Sequence, residues 1–175
     1  HRGPDRDKHG RPAQSKYPKV WNDGYFRFVF VRNPWDRVVS AFFYDKCLFE
    51  CGGRAAKGPN GGRRKTISEL GAEGFNDFVK NHLNKRKGRG ILDRSVLYKR
   101  QAWWVKDFEY DFIGKFEKLQ LDFDKVCKKL KMPQQKLGNF NAMDRTKYKD
   151  YYDDEAAEIV AELYKKDIEL FNYKF

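Results

Sequence analysis

The sequence has no long apolar run and little cysteine, and each shortage excludes classes of protein. No stretch approaches the roughly eighteen apolar residues of a membrane-spanning helix, and no secretory signal pattern is visible. Three cysteines cannot supply the two cysteine pairs of a typical zinc site, and no two histidines stand at ligand spacing. We therefore predict no metal site. Asn-x-Ser/Thr is absent as well, which removes one sign of secretion and leaves the compartment open.

Three cysteines leave at least one thiol unpaired. Cys47 and Cys51 are one helical turn apart, and a disulfide across that spacing in a regular helix is strained. Cys127 lies on the apolar face of a predicted helix, so we expect it to be a core thiol.

The composition indicates one folded domain, residues 1–175, with an acidic partner. The chain is 40% hydrophobic and 17% aromatic, which is typical of a packed core. Its net charge of +12 favours nucleic acid, an anionic membrane, or a sulfated or carboxylated glycan. Residues 1–24 are polar and predicted to be mostly loop, and residues 52–66 form a basic, glycine-rich loop. That loop is no Walker A motif, since Arg64 replaces the glycine required before Lys65-Thr66.

The stretch from Tyr25 to Tyr44 is predicted to be a strand, a tight turn and an amphipathic helix. Residues 25–31 are mostly aromatic and β-branched, as in a strand covered on both faces. Asn33 can cap the helix, and Pro34 suits its first position. The apolar stripe of this helix comprises Trp35, Val38, Val39, Phe42 and Phe43, with Arg37, Ser40 and Tyr44 on another face.

Arg32 stands at the carboxyl end of this strand, just before the helix N-terminus. Free backbone N–H groups, the helix dipole and a guanidinium converge on an anion at such positions. Ser40, two helical turns on, can add a hydroxyl donor to the same anion. The alternative is an ordinary strand–turn–helix with a surface arginine.

Further elements follow the same kinds of pattern. A short helix carries the apolar stripe Phe75, Phe78, Val79 and Leu83, with His82 beside it in a structural role. Residues 108–116 alternate as a strand does, and the next helix carries Phe123, Val126, Cys127 and Leu130 on one face. The C-terminal helix begins at Asp153–Glu155 and has Asp167 beside its apolar stripe, where we expect it to pair with a buried arginine.

The string FVRNPWDRVVSA resembles the 3′-phosphate-binding motif of the Golgi-type carbohydrate sulfotransferases and their bacterial relatives. The resemblance implies that Arg32 and Ser40 hold the 3′-phosphate of the sulfuryl donor 3′-phosphoadenosine-5′-phosphosulfate (PAPS). DFIGKFEKLQLDF resembles the family's second block, and Gln101 matches a glutamine frequent before it. The C-terminal loop resembles the one that closes over the nucleotide, which makes Arg145 and Thr146 secondary cofactor candidates.

The segment KHGRPAQ resembles the family's Lys-His-x-Thr-Ala stretch, which implies that His9 is the general base for the acceptor hydroxyl, with His1 as the fallback. Here Arg11-Pro12 replaces the expected Thr-Ala pattern, and the alternative is a solvated histidine in a flexible tail.

The family fold is α/β, with a P-loop-NTPase-like parallel sheet flanked by helices. Its first strand and the P-loop that cradles the 5′-phosphosulfate lie upstream of the histidine region, and nothing before His9 matches them. We therefore expect that the chain is a truncation, that a separate segment or another chain completes the sheet, or that the protein no longer catalyses.

The resemblance thus predicts transfer of a sulfuryl group from PAPS to a hydroxyl of an acidic or neutral glycan. One alternative is a catalytically inactive sulfotransferase fold that serves as a structural or interaction subunit. A second is a nucleic-acid-binding module, although no specific nucleic-acid signature is present. The compartment would be the Golgi lumen for a eukaryotic member and the cytoplasm for a bacterial one.

Overall fold

The computed structural model describes residues 24–50, 74–83, 97–105, 109–138 and 146–175, with the backbone alone for residues 45–50. The chain divides into two compact units. The sheet unit comprises His1–Phe30 and Trp104–Leu137, and the helical unit comprises Val31–Trp103 and Gly138–Phe175. Within the described ranges, no helix is both long and apolar enough to cross a membrane.

The described residues form a mixed helix–strand structure with a small parallel sheet. In chain order the elements are β1 (Phe28–Val31), α1 (Pro34–Glu50), α2 (Phe75–Asp77) with a π-helix directly after it (Phe78–Leu83), α3 (Gln101–Val105), β2 (Phe112–Lys115) with a 3₁₀ turn after it (Phe116–Lys118), α4 (Leu119–Lys129), a 3₁₀ turn (Tyr148–Tyr151), α5 (Asp154–Leu163) and α6 (Lys165–Phe171).

In the sheet unit, β1 and β2 pair, and both are shorter than the predicted strands at 25–31 and 108–116. Arg27 O accepts the N–H of Asp111 at 2.8 Å, and the Asp111 carboxylate in turn accepts the Arg27 N–H at 2.7 Å. Gly114 permits the close pairing, because a Cβ at this position would lie 2.5 Å from a ring carbon of Phe30. The glycine is therefore required by packing.

The prediction that the first strand is covered on both faces is wrong for this unit. Phe28 on β1 is 39% exposed, and Ile113 on β2 is 42% exposed. Helix α4 packs against β2, and a helix can cover only one face of a sheet. Two described strands with one such helix therefore leave large apolar side chains accessible.

The predicted helix after Glu117 is confirmed as α4, with one correction to its apolar face. Val126 and Cys127 are buried, and Cys127 is a free thiol, as predicted. Leu130 is wrong as a core residue, since it is 39% exposed. It lies beyond the last helical residue, where the chain turns away through Lys131 with a positive φ of 56°.

Asp122 connects α4 to β2 through a buried carboxylate. It accepts the Lys115 N–H at 2.8 Å and the Lys125 ammonium at 2.6 Å. Burial alone would raise the pKa of Asp122, but these two hydrogen bonds and the Lys125 charge outweigh it, so the pKa lies below its usual value.

In the helical unit, α1 begins as the sequence predicts. The Asn33 side-chain oxygen accepts the N–H of Trp35 at 3.0 Å, and Pro34 is the first helical residue. The stripe from Trp35 to Phe42 is buried as predicted, with Phe43 partly exposed. The helix packs against α5 and against the 3₁₀ turn Tyr148–Tyr151.

The short helix predicted around Phe75 is confirmed, although most of it has π geometry. Phe78, Val79 and Leu83 are fully buried, and the π-helix packs against α5. Phe42 contacts both Phe75 and Phe78, with each pair of ring centroids 5.3 Å apart. These aromatic contacts join α1 to the π-helix.

The single C-terminal helix of the prediction is two helices. Asp153 caps α5 by accepting the Ala156 N–H at 2.8 Å, as the acidic start of the helix suggests. The helical angles end at Tyr164, which is fully buried and donates its hydroxyl to Tyr98 O at 2.6 Å. The chain continues as α6, and that helix is followed by Asn172 in the left-handed conformation.

Several sequence predictions lie outside the described residues. These are the polar segment 1–24 except for Gly24, the glycine-rich loop 52–66, and the individual residues His1, His9, Cys51 and Arg145. The side chain of Cys47 is likewise not described.

The lowered pKa of Asp122 predicts a pH-dependent contribution to stability. Its carboxylate stabilises the fold fully above its unfolded-state pKa of 3.8, and this contribution is lost as the pH falls through the lower folded-state pKa. We expect Asp122→Asn to lower the free energy of unfolding by about 1 kcal/mol at neutral pH.

Urea unfolding between pH 7 and pH 3 measures this difference, which should shrink toward the acid end. Asp124→Asn on the same helix is the control. It also removes one carboxylate, and that carboxylate accepts a hydrogen bond from the side-chain amide of Gln120. A difference for Asp122→Asn that stays constant over the range would contradict the expectation.

Candidate functional site

The two residues of the predicted anion site, Arg32 and Ser40, are in direct contact. Arg32 follows the last residue of β1, and Ser40 lies in α1. Arg32 Nη1 donates to Ser40 Oγ at 3.1 Å. A hydroxyl that accepts one hydrogen bond still has its own O–H to donate. The helix therefore brings a guanidinium and a hydroxyl donor to one place, as an oxyanion requires.

Asp36 is a third member of this group, and the sequence analysis did not place it at the predicted anion site. Arg32 Nε donates to Asp36 Oδ2 at 2.6 Å, and the two side chains are 20% and 15% exposed. The i, i+4 spacing of the pair is a signal that could have revealed it. The carboxylate orients the guanidinium, and it also places a negative charge next to the predicted anion site.

The backbone of Arg32 is held by a side chain from a distant part of the chain. Gln101 Oε1 accepts the Arg32 N–H at 2.8 Å, and Gln101 Nε2 donates to Arg32 O at 2.7 Å. The family resemblance had singled out Gln101 without giving it a role. Its position at the start of α3 gives it a structural role, because its side chain forms hydrogen bonds with both the N–H and the carbonyl of Arg32.

The residues on either side of Arg32 are held by the C-terminal segment. Tyr173 donates its hydroxyl to Val31 O at 3.0 Å, and Asn33 Nδ2 donates to Lys174 O at 3.1 Å. Residues 31–35, here called the Arg32 turn, are thus fixed from several directions. No short-range pattern indicates these contacts, since the partners are more than 140 positions apart in the sequence.

The end of the Arg32 turn is enclosed by aromatic side chains. Tyr152 donates its hydroxyl to Trp35 O at 2.9 Å, and the Trp35 indole donates to Ala157 O at 2.9 Å. The Phe175 ring lies against Trp35, with ring centroids 5.4 Å apart, and Lys149 Nζ stands 5.2 Å from the Phe175 ring. These contacts leave a rigid surface beside the first turn of α1.

Asp167 is fully buried, and its main partners are backbone groups. Its two oxygens accept the N–H groups of Gln101 and Ala102 at 2.7 and 2.8 Å. Burial raises the pKa of Asp167, while the two N–H groups and the charge of Arg37 act in the opposite direction. An arginine is therefore near, as predicted, but it acts through its charge while backbone amides make the hydrogen bonds.

Arg37 is that arginine, which the sequence pattern placed off the apolar stripe of α1 without assigning it a partner. It donates to Lys99 O, and burial lowers its pKa while Tyr164 and Asp167 oppose the change. The side chain can lie inward because the Lys99 carbonyl and the Asp167 carboxylate stabilise its positive charge. An apolar stripe in the sequence does not indicate such polar partners.

Two of the remaining candidate residues, Thr146 and His82, are described by the structure. Thr146 is exposed and precedes the 3₁₀ turn, whose Tyr148 hydroxyl lies 3.4 Å from Asn33 Nδ2. His82 lies 3.7 Å from Asp77 on the α2 segment, which agrees with a structural role. His9 and Arg145 belong to the part of the chain that is not described, and among the described residues no cluster of acidic, histidine and cysteine side chains could hold a metal ion.

The sequence of the chain has a counterpart among known families. The model of the sulfotransferase family matches residues 5–174, and the chain belongs to that family. The chain is 31% identical over 115 residues to an uncharacterized protein of Archaeoglobus fulgidus, which covers 65% of this chain and 73% of the relative. No solved structure matches the chain.

The buried Asp167 carboxylate predicts an order of stabilities among its variants. Asp167→Ala leaves the N–H groups of Gln101 and Ala102 without this acceptor, and each buried N–H without a partner costs about 1–3 kcal/mol. We expect a loss of about 2–4 kcal/mol in the free energy of unfolding, with a smaller loss for Asp167→Asn, which retains one acceptor oxygen.

Chemical denaturation measures these losses, with Asp154→Ala as the matched control. Asp154 is an exposed aspartate in the first turn of α5, and its replacement should change stability by less than about 0.5 kcal/mol. Equal losses at positions 154 and 167 would contradict the structural role of Asp167.

Proposed function

We propose that the protein binds PAPS and that the Arg32 turn receives the 3′-phosphate of the nucleotide. The observation that supports this most directly is the 3.1 Å contact between Arg32 Nη1 and Ser40 Oγ, which brings together the two residues that the motif pairs. The chain belongs to the sulfotransferase family, whose members generally use this donor. A phosphate at this position would receive charge-assisted hydrogen bonds from the guanidinium and one from the hydroxyl.

Asn33 and Pro34 add to this proposal through the helix that they begin. The turn delivers the N-terminus of a seventeen-residue helix next to Arg32. The aligned peptide dipoles favour a negative charge there, and they would offset part of the repulsion from Asp36.

The segment that contains Arg145 and Thr146 is the further part of the chain that we assign to the nucleotide. Tyr148, two residues after Thr146, contacts Asn33 in the Arg32 turn. This contact supports Thr146 and, by its neighbouring position, Arg145 as secondary cofactor residues.

The reaction that we propose is transfer of a sulfuryl group to a hydroxyl of an acidic or neutral glycan. The sulfur–oxygen bond to the nucleotide phosphate breaks as the acceptor oxygen attacks in line, and the acceptor proton goes to His9 as general base. The positive charge of +12 would favour an acidic acceptor. The 5′-phosphosulfate would need a P-loop that a separate segment or another chain supplies.

Arg32→Ala should weaken binding of the product nucleotide 3′-phosphoadenosine 5′-phosphate (PAP) by roughly 10–100-fold. Hydrogen bonds to charged groups contribute about 1.5–3 kcal/mol, and each 1.4 kcal/mol is tenfold in affinity. Ser40→Ala removes a neutral donor and should cost about 3–10-fold. Calorimetric titration measures both affinities.

Arg27→Ala is the matched control for this titration. It removes the same charge from an arginine that pairs with Asp111 in the sheet unit, at 3.6 Å. The control should bind PAP as the wild type does, and 5′-AMP, which lacks the 3′-phosphate, should bind wild type and Arg32→Ala alike. Equal PAP affinities for wild type and Arg32→Ala would refute the assignment.

His9→Ala should abolish sulfuryl transfer while PAP affinity stays unchanged. General base catalysis typically contributes about 10²–10⁴ in rate. Transfer of labelled sulfate from PAPS to a glycan measures the effect, and His82→Ala, which removes the histidine beside Asp77, is the control. Undiminished transfer by His9→Ala would exclude this base. PAP binding without any transfer by the wild type would favour the non-catalytic alternative.

A further inference from the structure

Gln101 makes an unusual pair of contacts, because both go to the backbone of one residue. Its amide oxygen accepts the Arg32 N–H at 2.8 Å, and its amide nitrogen donates to Arg32 O at 2.7 Å. The peptide groups on both sides of the Arg32 Cα are therefore held by one side chain. The arginine side chain begins at that Cα, so the origin of its long, flexible stem is fixed.

Gln101 is itself held in place from behind. Its backbone N–H donates to Asp167 Oδ2 at 2.7 Å, and the next N–H, of Ala102, donates to Oδ1 at 2.8 Å. Asp167 is fully buried, and Gln101 is 9% exposed. A continuous series of hydrogen bonds thus leads from the core carboxylate to the Arg32 backbone.

The far end of the Arg32 side chain is held by a different element. Its Nε and Nη1 atoms contact Asp36 and Ser40, both of which belong to α1. Gln101 therefore determines where the side chain starts, and α1 determines where the guanidinium ends. Recognition of a phosphate by such a group depends on placement to within about 0.5 Å.

We propose that Gln101, anchored by Asp167, is a positioning residue that sets the placement of the Arg32 guanidinium for its anion. The inference rests on the proposed role of Arg32 at the 3′-phosphate. Gln101 touches neither the nucleotide nor the reacting atoms in this scheme; it acts through the Arg32 backbone.

The experiment compares Gln101→Leu with Gln120→Leu in the full chain. Gln120 is a matched control, because its amide also accepts a backbone N–H, that of Leu137 at 2.8 Å, and donates to a backbone carbonyl, that of Gln135 at 3.0 Å. It lies in the sheet unit. The readout is the ratio of the 5′-AMP and PAP dissociation constants, which isolates the 3′-phosphate from the rest of the nucleotide.

We expect Gln101→Leu to lower this ratio at least tenfold while the affinity for 5′-AMP stays unchanged, and Gln120→Leu to leave the ratio at the wild-type value. Amide hydrogen exchange provides a second readout. The Arg32 N–H should exchange faster in Gln101→Leu, because its acceptor is gone, and at the wild-type rate in Gln120→Leu.

Gln101→Glu keeps the test decisive if the leucine variant folds poorly. It retains an oxygen for the Arg32 N–H and loses the donor to Arg32 O, so we expect a lowered ratio in a folded protein. A wild-type ratio in a folded Gln101 variant would overturn the positioning role. A wild type that does not distinguish PAP from 5′-AMP would instead refute the proposed function, and the positioning role with it.

Discussion

The helical unit depends on the two hydrogen bonds that the buried Asp167 carboxylate accepts from the start of α3. They satisfy N–H groups at a helix terminus that would otherwise be costly to bury. They also hold the backbone of Gln101, whose side chain forms hydrogen bonds with the N–H and the carbonyl of Arg32. A group far from the turn in the sequence is thereby linked to it by hydrogen bonds. The cost of burying the carboxylate is opposed by its hydrogen bonds and by the charge of Arg37.

The local part of this arrangement could be predicted from the sequence. The Asn33 cap, the Pro34 start and the stripe from Trp35 to Phe42 depend on neighbours within eight residues, so periodicity and capping rules find them. The contact of Arg32 with Ser40 follows from the same spacing, because two turns of helix bring position 40 near the residue before the helix.

The long-range part could not be predicted. The pairing of Gln101 with Arg32 and of Tyr173 with Val31 joins segments 69 and 142 positions apart, and one sequence contains no signal for such contacts. The same limit explains the errors. The inward contacts of Arg37 were missed because a stripe records only apolar positions. Leu130 continues the apolar spacing of α4, but the helix ends just before it, so the side chain is exposed. The break in the C-terminal helix at Tyr164 could not be predicted either, because the hydroxyl of Tyr164 bonds the carbonyl of Tyr98, 66 positions away.

The pairing of Arg32 with Asp36 has a consequence for competition among anions. Because the guanidinium already has a carboxylate partner at 2.6 Å, much of its charge is compensated before any ligand binds. A singly charged ion such as chloride gains little by approaching it, since it offers no more charge than Asp36 does. A doubly charged phosphate monoester with several acceptor oxygens gains more. At the phosphate site proposed for Arg32, an internal counter-ion of this kind would favour phosphate over the simple salt anions that a bare arginine attracts.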